Sequence, residues 1–325
     1  MKYIVSCLAV KEEIRYATNM GGTDIRRLAR LISQVEARDP RALAQLKALP
    51  AARRGARVLG ITGPPGAGKS TLVDQLIRRL RTQQHRVAVI AIDPSSPFSG
   101  GAVLGDRIRM QSHASDDGVF IRSVGSRGAR GGLSSSTRAM VRLCDAHGFD
   151  WIIIETVGVG QSEYDIMEFA DTTLVVLTPE SGDTVQTLKA GLLEIADLFV
   201  VNKGDRDGVE TMVQGLIAMI HLQAATAEEW SPPVVMTTAT QGTGIDDLMS
   251  AIERHVTFCA QHPTGHDRQR ELRRRDFFAL CAETVVAQLQ LRCQQDAAVR
   301  QLVEHVADGT ANPYTAVEQI LQTMK

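Results

Sequence analysis

Seven short apolar runs recur along the middle of the chain, and stretches with a helical period separate most of them. Between residues 57 and 238 they read RVLGIT, RVAVIAID, GVFIRSV, DWIIIET, TTLVVLT, DLFVVNK and PPVVMTT. Runs that are apolar on both faces are typical of a parallel sheet covered by helices on both sides. The pattern therefore predicts an α/β fold with a mostly parallel central sheet. Right-handed crossovers place the carboxyl ends of such strands along one edge, where ligands bind.

A helical extension is predicted before the strand-rich region. A helical period begins at Thr23, and a second short helix is expected after Asp39. The apolar positions of the first helix are Ile25, Leu28, Ile32 and Val35. Residues 1–52 are therefore predicted to form an N-terminal helical extension, and the α/β domain is expected to span residues 53–258.

A second helical region is predicted at the other end, over residues 259–325. Arg268 to Gln294 has the period of one long helix. Its apolar face carries Phe277, Leu280, Cys281, Val285 and Leu289. This stripe exceeds what a small domain needs, so the arm is expected to help form a homodimer. A tail that packs back on a monomer is the alternative.

The composition is that of a globular protein. Of the 325 residues 44% are hydrophobic, and 36 Lys and Arg residues nearly balance 37 Asp and Glu residues. Such a balance does not suggest a nucleic-acid partner, and no apolar run is long enough to span a membrane. Five scattered cysteines indicate reduced thiols, and the apolar start lacks the features of a secretory signal. A cytoplasmic protein without nucleic-acid or membrane partners is therefore expected.

The segment GPPGAGKST at residues 63–71 matches Gly-x-x-x-x-Gly-Lys-Ser/Thr, follows an apolar run and opens a helical pattern. The glycines let backbone amides turn toward one point, and the helix N-terminus adds partial positive charge there. Lys69 is expected to neutralise β- and γ-phosphate oxygens, and Ser70 to bind magnesium. The expected phosphate-binding residues are Gly63, Pro64, Pro65, Gly66, Ala67, Gly68, Lys69, Ser70 and Thr71. This segment predicts a P-loop NTPase.

A glutamate ends the apolar run WIIIE, and the glycine-containing segment TVGVGQSE follows it. Glu155 occupies the place of the acidic residue that faces magnesium in P-loop proteins, and its longer side chain is expected to act through a coordinated water. Gly158 is expected to offer its N–H group to the γ-phosphate and to sense whether that phosphate is present. Val159 stands where a water-orienting glutamine is common, and Gln161 lies two positions later. Intrinsic hydrolysis is therefore expected to be slow.

Two aspartates are further candidate ligands of magnesium, because hard cations take oxygen ligands. Asp93 ends the run VAVIAI, and Asp106 lies in the Gly- and Ser-rich segment PSSPFSGGAVLGDRIRM. Asp93 is the better placed of the two. Asp106 suits a mobile lid, and it equally suits the cap of a following helix.

The segment VVNKGD at residues 200–205 follows the sixth apolar run and contains Asn-Lys-x-Asp, a guanine-reading motif. The Asp205 carboxylate is expected to accept hydrogen bonds from guanine N1–H and the 2-amino group, and adenine offers neither donor. Lys203 is expected to lay its stem over the base, and Asn202 to connect loops and touch the base edge. After the next run, Thr238, Ala239 and Thr240 complete the predicted pocket, with the Ala239 amide directed at guanine O6. The expected ligands are therefore GTP and GDP with Mg²⁺.

These motifs together resemble the MeaB/ArgK/MMAA family, G-protein chaperones of cobalamin-dependent acyl-CoA mutases within the SIMIBI class of P-loop GTPases. The resemblance is carried by GPPGAGKST, AIDPSSPFSGGAVLGDRIRM, ETVGVGQSE, PESGDTVQTLKAGLLEIADLFVVNKGD and TATQGTGIDDL. It implies a dimeric GTPase that gates adenosylcobalamin delivery to a methylmalonyl-CoA-type mutase and protects that enzyme. It also implies switch segments at Asp93–Met110, Glu155–Glu163 and Ser181–Lys189. The chain departs from the family at Gly204, usually alanine, and in TTAT, where Ser-Ala is usual.

Three other functions are compatible with a P-loop. An ATP-dependent kinase of a transport system conflicts with the guanine motif. A metal-insertion GTPase needs a Cys/His cluster near the switch segments, whereas His113 and Cys144 are isolated in the sequence. A nucleotide sensor that binds without hydrolysis would show no GTP turnover.

Overall fold

A computed structural model of the chain describes residues 22–51, 54–93, 111–113, 115–125, 132–156, 166–180, 193–223 and 230–322. The chain divides into two compact units, and the division falls after Leu272. The first unit contains the sheet, and the described part of the second is helical. The three-part division predicted from the sequence stays a prediction.

Seven strands form one sheet within the described residues. They are β1 Arg57–Thr62, β2 Val87–Asp93, β3 Val119–Gly125, β4 Trp151–Thr156, β5 Thr172–Leu177, β6 Leu198–Val201 and β7 Val234–Met236. Their order is β3-β2-β4-β1-β5-β6-β7, and every neighbouring pair is parallel. Each strand lies within one of the seven apolar runs or extends it by one residue. The predicted α/β fold with a parallel central sheet is confirmed.

Helices lie between the strands and at both ends of the described chain. The longer helices are α1 Gly22–Glu36, α2 Pro40–Lys47, α3 Lys69–Thr82, α4 Gly132–Ala146, α5 Val209–Gln223, α6 Ile245–Gln261, α7 Pro263–Gln295, α8 Ala297–Ala307 and α9 Pro313–Gln322. The predicted N-terminal and C-terminal helical extensions are present.

Each face of the sheet has its own apolar core because side chains alternate along a strand. Leu59 of β1 and Ile153 of β4 face a core that contains residues of α3 and α6. Val58 and Ile152 face the other way, into a core shared with α1 and α4. Burial of one such side chain contributes about 1.5–3 kcal/mol. With both faces covered, ligands reach the sheet at its edges.

The two N-terminal helices pack on the second of these cores. Leu28 and Ile32 of α1 are 0% and 1% exposed and belong to the same core as Ile152. The Asp39 carboxylate caps α2 by accepting hydrogen bonds from the N–H groups of Arg41 (2.9 Å) and Ala42 (3.0 Å). Both predicted helices are confirmed, and they cover one face of the α/β unit.

A buried ionic cluster lies at the amino ends of β5 and β6, the edge opposite the P-loop. Asp197 accepts hydrogen bonds from Thr173 N (2.8 Å) and from both terminal nitrogens of Arg268, and its backbone carbonyl accepts one from Trp230 Nε1 (2.7 Å). His255 Nε2 lies 3.4 Å from Asp197 Oδ1. Burial lowers the pKa of His255, but hydrogen bonds and charge interactions with Asp197 and Cys259 outweigh it and raise the pKa to about 9. His255 is therefore an imidazolium at neutral pH.

The raised pKa of His255 predicts a loss of stability at alkaline pH. The folded state binds this proton more tightly than the unfolded state, so its stabilisation is complete below pH 6.5 and is lost as the pH rises through about 9. The free energy of unfolding should fall by roughly 1–3 kcal/mol over this window. His255→Gln should remove most of this pH dependence. Urea unfolding followed by tryptophan fluorescence at several pH values measures it, because the Trp230 ring lies 4.8 Å from the His255 ring.

The exposed His221, at the end of α5, provides the matched control for that experiment. His221→Gln should leave the alkaline slope unchanged. A slope that is equally steep in His255→Gln would contradict the assignment of the proton to His255.

The second compact unit begins within the long helix α7. The predicted helix Arg268–Gln294 lies inside α7, and the predicted start of the last helix at Pro313 is confirmed. Apolar side chains of α7 that are more than half exposed are Phe277, Phe278, Leu280, Val286 and Leu291.

Within the described part of the chain, no helix combines the length and the apolar character needed to cross a membrane.

Candidate nucleotide-binding site

The phosphate-binding loop connects the end of β1 to the start of α3, as predicted. Gly63 has φ +139°, and a Cβ atom there would lie 2.0 Å from the carbonyl oxygen of Val176. Gly68 has φ +86°, and a Cβ atom there would lie 2.4 Å from Asn202 Nδ2. Both positions therefore need glycine for backbone conformation and for space. The loop is packed against β5 on one side and against the loop after β6 on the other.

Lys69 lies inside this loop and is 6% exposed. Among its contacts, Nζ donates hydrogen bonds to the carbonyl oxygens of Gly63 (2.7 Å) and Pro64 (2.9 Å). These bonds hold the ammonium group within the curve of the loop. A positive charge in this position suits the neutralisation of phosphate oxygens.

The two described side chains predicted to hold magnesium are in direct contact. Ser70 Oγ donates a hydrogen bond to Glu155 Oε1 at 2.7 Å, and Glu155 is 4% exposed. The contact follows from the sheet order, because β1 pairs with β4 and Ile61 is in register with Glu155. A hydroxyl oxygen and a carboxylate oxygen side by side beside the phosphate loop are a donor set that fits Mg²⁺.

The other predicted residues of the magnesium and γ-phosphate site are described in part or not at all. Asp93 ends β2 as predicted, and only its backbone is described. Asp106, Gly158 and Gln161 lie outside the described residues, so their roles stay predictions. In the described ranges, no group of three or more His, Cys, Asp and Glu side chains is arranged to hold a metal ion.

The predicted motifs meet at one cavity of about 430 Å³. This volume lies within the range of small-molecule sites. The cavity is lined by residues of the phosphate loop, the end of β4, and the loops after β6 and β7. They are Pro65, Gly66, Gly68, Lys69, Ser70, Thr71, Glu155, Asn202, Lys203, Ala239 and Thr240. All of them were predicted from the sequence as site residues.

Asn202 connects three loops at the floor of the site and is 2% exposed. Its Nδ2 donates to the carbonyl oxygen of Ala67 at 2.8 Å, so it holds the phosphate loop. Its Oδ1 accepts hydrogen bonds from Thr237 Oγ1 and from Ala239 N, both at 3.1 Å. The predicted connecting role of Asn202 thus has a geometric basis. The Ala239 amide, predicted to meet guanine O6, donates to Asn202 in this structure.

Beyond Asn202 the loop turns sharply. Lys203 has φ +59°, and the Gly204 amide donates to the carbonyl oxygen of Thr237 at 2.9 Å. A Cβ atom on Gly204 would lie 3.3 Å from that oxygen, so an alanine would fit tightly.

Asp205 follows and is exposed, and Thr238 is buried with its amide bonded to Thr243 O at 3.0 Å. The cavity lining includes neither Asp205 nor Thr238.

Two residues near the site were missed from the sequence. Thr237 orients the Asn202 amide, and Glu180, three residues beyond the end of β5, pairs with Lys203. Thr237 adjoins the predicted TTAT residues, so its place in that segment was a usable signal. For Glu180 the available signal was an acidic residue just after a strand whose neighbour carries the guanine motif.

Comparison with known proteins identifies the family. A family model described as methylmalonyl-CoA mutase-associated GTPase MeaB matches residues 28–294. The chain belongs to the MeaB family. It is a GTPase, and membership of this family implies that it binds a guanine nucleotide. The resemblance stated from the motifs alone is confirmed.

Relatives and a solved structure agree with MeaB membership. A putative GTPase of Pyrococcus horikoshii is 42% identical over 301 residues, which are 92% of this chain and 94% of the relative. GTPase ArgK of Escherichia coli is 36% identical over 269 residues, 81% and 80% of the two chains. A crystal structure described as an LAO/AO transport system kinase aligns with a TM-score of 0.69 and 28% identity, over 98% of each chain.

Proposed function

We propose that this GTPase is a chaperone of a cobalamin-dependent acyl-CoA mutase of the methylmalonyl-CoA type, gating adenosylcobalamin loading and protecting the mutase. The description of the MeaB family as mutase-associated supports this class of client. The structural observation that carries the proposal is the Ser70–Glu155 hydrogen bond. It connects the phosphate loop to the strand that leads into the ETVGVGQSE segment, so the nucleotide state has a direct route to that segment.

Several residues of the chain have separate roles in GTP hydrolysis. Lys69 neutralises oxygens of the β- and γ-phosphates, and the backbone N–H groups of the non-proline residues of 63–71 bind the phosphate chain. Ser70, with Glu155 acting through water, would hold Mg²⁺, and Asp93 and Asp106 are further candidate ligands. When bound, the ion would supply positive charge that offsets the negative charge developing on the phosphates in the reaction.

The ETVGVGQSE segment would report the nucleotide to the client. The sequence motif predicts that Gly158 N–H senses the γ-phosphate, and Gln161 is the candidate for orienting the attacking water. A client that prefers one state of the segment binds the GTP and GDP forms with different affinities. Linkage then requires the client to change the affinity of the protein for GTP relative to GDP by the same factor. Because Val159 replaces the usual glutamine, the basal rate is expected to be low.

Addition of the cognate mutase should therefore stimulate hydrolysis. We expect GTP turnover to rise at least about tenfold, since a partner that orients water or supplies an arginine commonly contributes far more. Gly158→Ala should bind GDP normally yet lose most of the stimulation, because a methyl group obstructs the approach of the amide to the γ-phosphate. Phosphate release with and without a methylmalonyl-CoA-type mutase from the same organism measures both effects.

An unrelated cobalamin-independent enzyme is the control protein for that assay. A cognate mutase that neither binds nor changes the rate would overturn the chaperone proposal while leaving the GTPase assignment intact.

A transport-system kinase is the second candidate, favoured by the description of the aligned crystal structure. A kinase of this type would use ATP and transfer phosphate to a protein. The Asn-Lys-x-Asp motif, whose Asn202 and Lys203 line the cavity, supports guanine over adenine. Titration with GDP and ADP separates the two functions, and a preference for ADP would favour the kinase.

The proposal includes a homodimer formed through the second compact unit. Phe277 and Phe278 of α7 are 62% and 63% exposed in the single chain. They are adjacent, whereas exposed apolar residues on a protein surface are normally scattered singly. A second copy of the chain is the occupant that we propose for this face. Light scattering should give twice the 35.3 kDa mass of one chain, and a mass of one chain would contradict the dimer.

A further inference from the structure

Backbone hydrogen bonds fix the guanine-reading loop on both sides of Lys203. Asn202 N donates to Leu177 O at 2.8 Å, and Gly204 N donates to Thr237 O at 2.9 Å. These bonds and the left-handed conformation of Lys203 set the point from which its side chain starts. The flexible four-carbon stem leaves the position of the ammonium group to a side-chain partner.

Glu180 is that partner. Lys203 Nζ donates a hydrogen bond to Glu180 Oε2 at 3.0 Å, and Arg206 pairs with the other carboxylate oxygen. The Lys203 side chain is 28% exposed and lines the cavity, whereas those of Glu180 and Arg206 are 43% and 52% exposed. One carboxylate thus holds both cationic side chains of the loop from the solvent side of the cavity wall.

The sheet explains why these residues meet. Leu177 of β5 is in register with Val201 of β6, so the chain leaves both strands at the same level. Glu180 lies three residues beyond the first strand end, and Lys203 lies two residues beyond the second. The Arg206 amide donates to Lys203 O at 3.0 Å, which brings the second cation back to the same carboxylate.

We propose that Glu180 is a positioning residue for guanine-nucleotide binding, whose carboxylate holds the Lys203 stem extended as a platform for the base. This inference rests on the guanine site proposed above. A stem that is ordered before the nucleotide arrives loses less rotamer freedom on binding. The platform contacts the face of the base, so its contribution is the same for GDP and GTP.

The direction in which GDP affinity changes when the Glu180 carboxylate is removed distinguishes this positioning role from a simple charge effect. Removal of a carboxylate near an anionic ligand favours binding if only long-range charge matters. Loss of the platform weakens binding instead. Because the pair is partly exposed, we expect Glu180→Gln to raise the Kd for GDP about three- to tenfold at low ionic strength, and less at high ionic strength.

The test measures the Kd for GDP and for a non-hydrolysable GTP analogue by calorimetric titration, together with kcat at saturating GTP. Glu180→Gln should raise both Kd values by the same factor and leave kcat unchanged. Glu210→Gln, at an exposed position in the first turn of α5, is the matched control and should change neither. An unchanged or lower Kd in Glu180→Gln, or a loss confined to kcat, would overturn the proposal.

A double-mutant cycle tests whether Glu180 acts through Lys203. Lys203→Met keeps an apolar stem and removes the ammonium group. In that background, Glu180→Gln should add no further loss of affinity, and additive losses would contradict the proposed route. The same titrations with ADP examine the site itself. If the unmodified protein binds GDP no better than ADP, the guanine assignment fails, whereas a guanine preference with an inert Glu180→Gln overturns only the positioning role.

Discussion

Lys69→Ala should reduce GTP turnover by at least about a hundredfold without unfolding the protein. Loss of one preorganised donor or charge at the developing negative charge of the transition state commonly costs this much or more. The ammonium group of Lys69 is held in the phosphate loop by Gly63 O and Pro64 O and is almost fully buried, so bulk solvent screens it little. Phosphate release under multiple turnover measures the loss.

The fold should survive this substitution. The variant loses two hydrogen bonds to loop carbonyls, at roughly 1 kcal/mol each, and no apolar core residue changes. Lys47→Ala, at an exposed position at the end of α2, is the matched control and should leave both turnover and melting unchanged. If nucleotide-free Lys69→Ala fails to fold, Lys69 is structural, and turnover close to that of the unmodified protein would remove its role at the phosphates.

The strands were predictable because a short run that is apolar on both faces, between helical segments, is compatible with few secondary structures other than a buried strand. All six residues of β4 are buried, and its predicted run differs from the strand by one residue. The run PPVVMTT predicted a longer strand than β7, Val234–Met236. Its two prolines lack the N–H groups that a parallel ladder needs, so the strand begins after them. A local chemical rule thus accounts for the difference at this end.

The cavity was predictable for a related reason. Its lining comes from short motifs that each follow a strand, and parallel strands bring their carboxyl ends to one edge. The pairing of Ser70 with Glu155 follows from the adjacency of β1 and β4, which the motifs anticipate. For these residues, motif type and strand order together imply the contact.

Contacts between distant side chains had no such local signal. Asn202 bonds to Ala67 across 135 residues, and Arg268 bonds to Asp197 across 71. Neither sequence separation corresponds to a helical or strand repeat, and the type of a residue does not identify the residue that it contacts. The Glu180–Lys203 pair is similar, because only the register of β5 and β6 shows that the two loops leave the sheet together.

Asp205→Asn should change the base preference from guanine to xanthine. The Asp205 carboxylate is expected to accept from guanine N1–H and the 2-amino group, and an asparagine presents a donor at one of these points. Xanthine carries a 2-oxo group there, which accepts that hydrogen bond. Hydrogen bonds to a charged group contribute about 1.5–3 kcal/mol each, so the loss for GDP should be a hundredfold or more, with a clear gain for XDP.

The exposure of Asp205 makes this substitution a clean test of the base pocket. Because the side chain is at the surface in this structure, its replacement removes no buried contact, and the melting temperature should not change. Asp207→Asn, two residues further and also exposed, is the matched control and should keep the guanine preference. Titration of both variants with GDP and XDP decides the matter. If Asp205→Asn still binds GDP more tightly than XDP, another group reads the base edge, and the carboxylate at position 205 has no part in guanine selection.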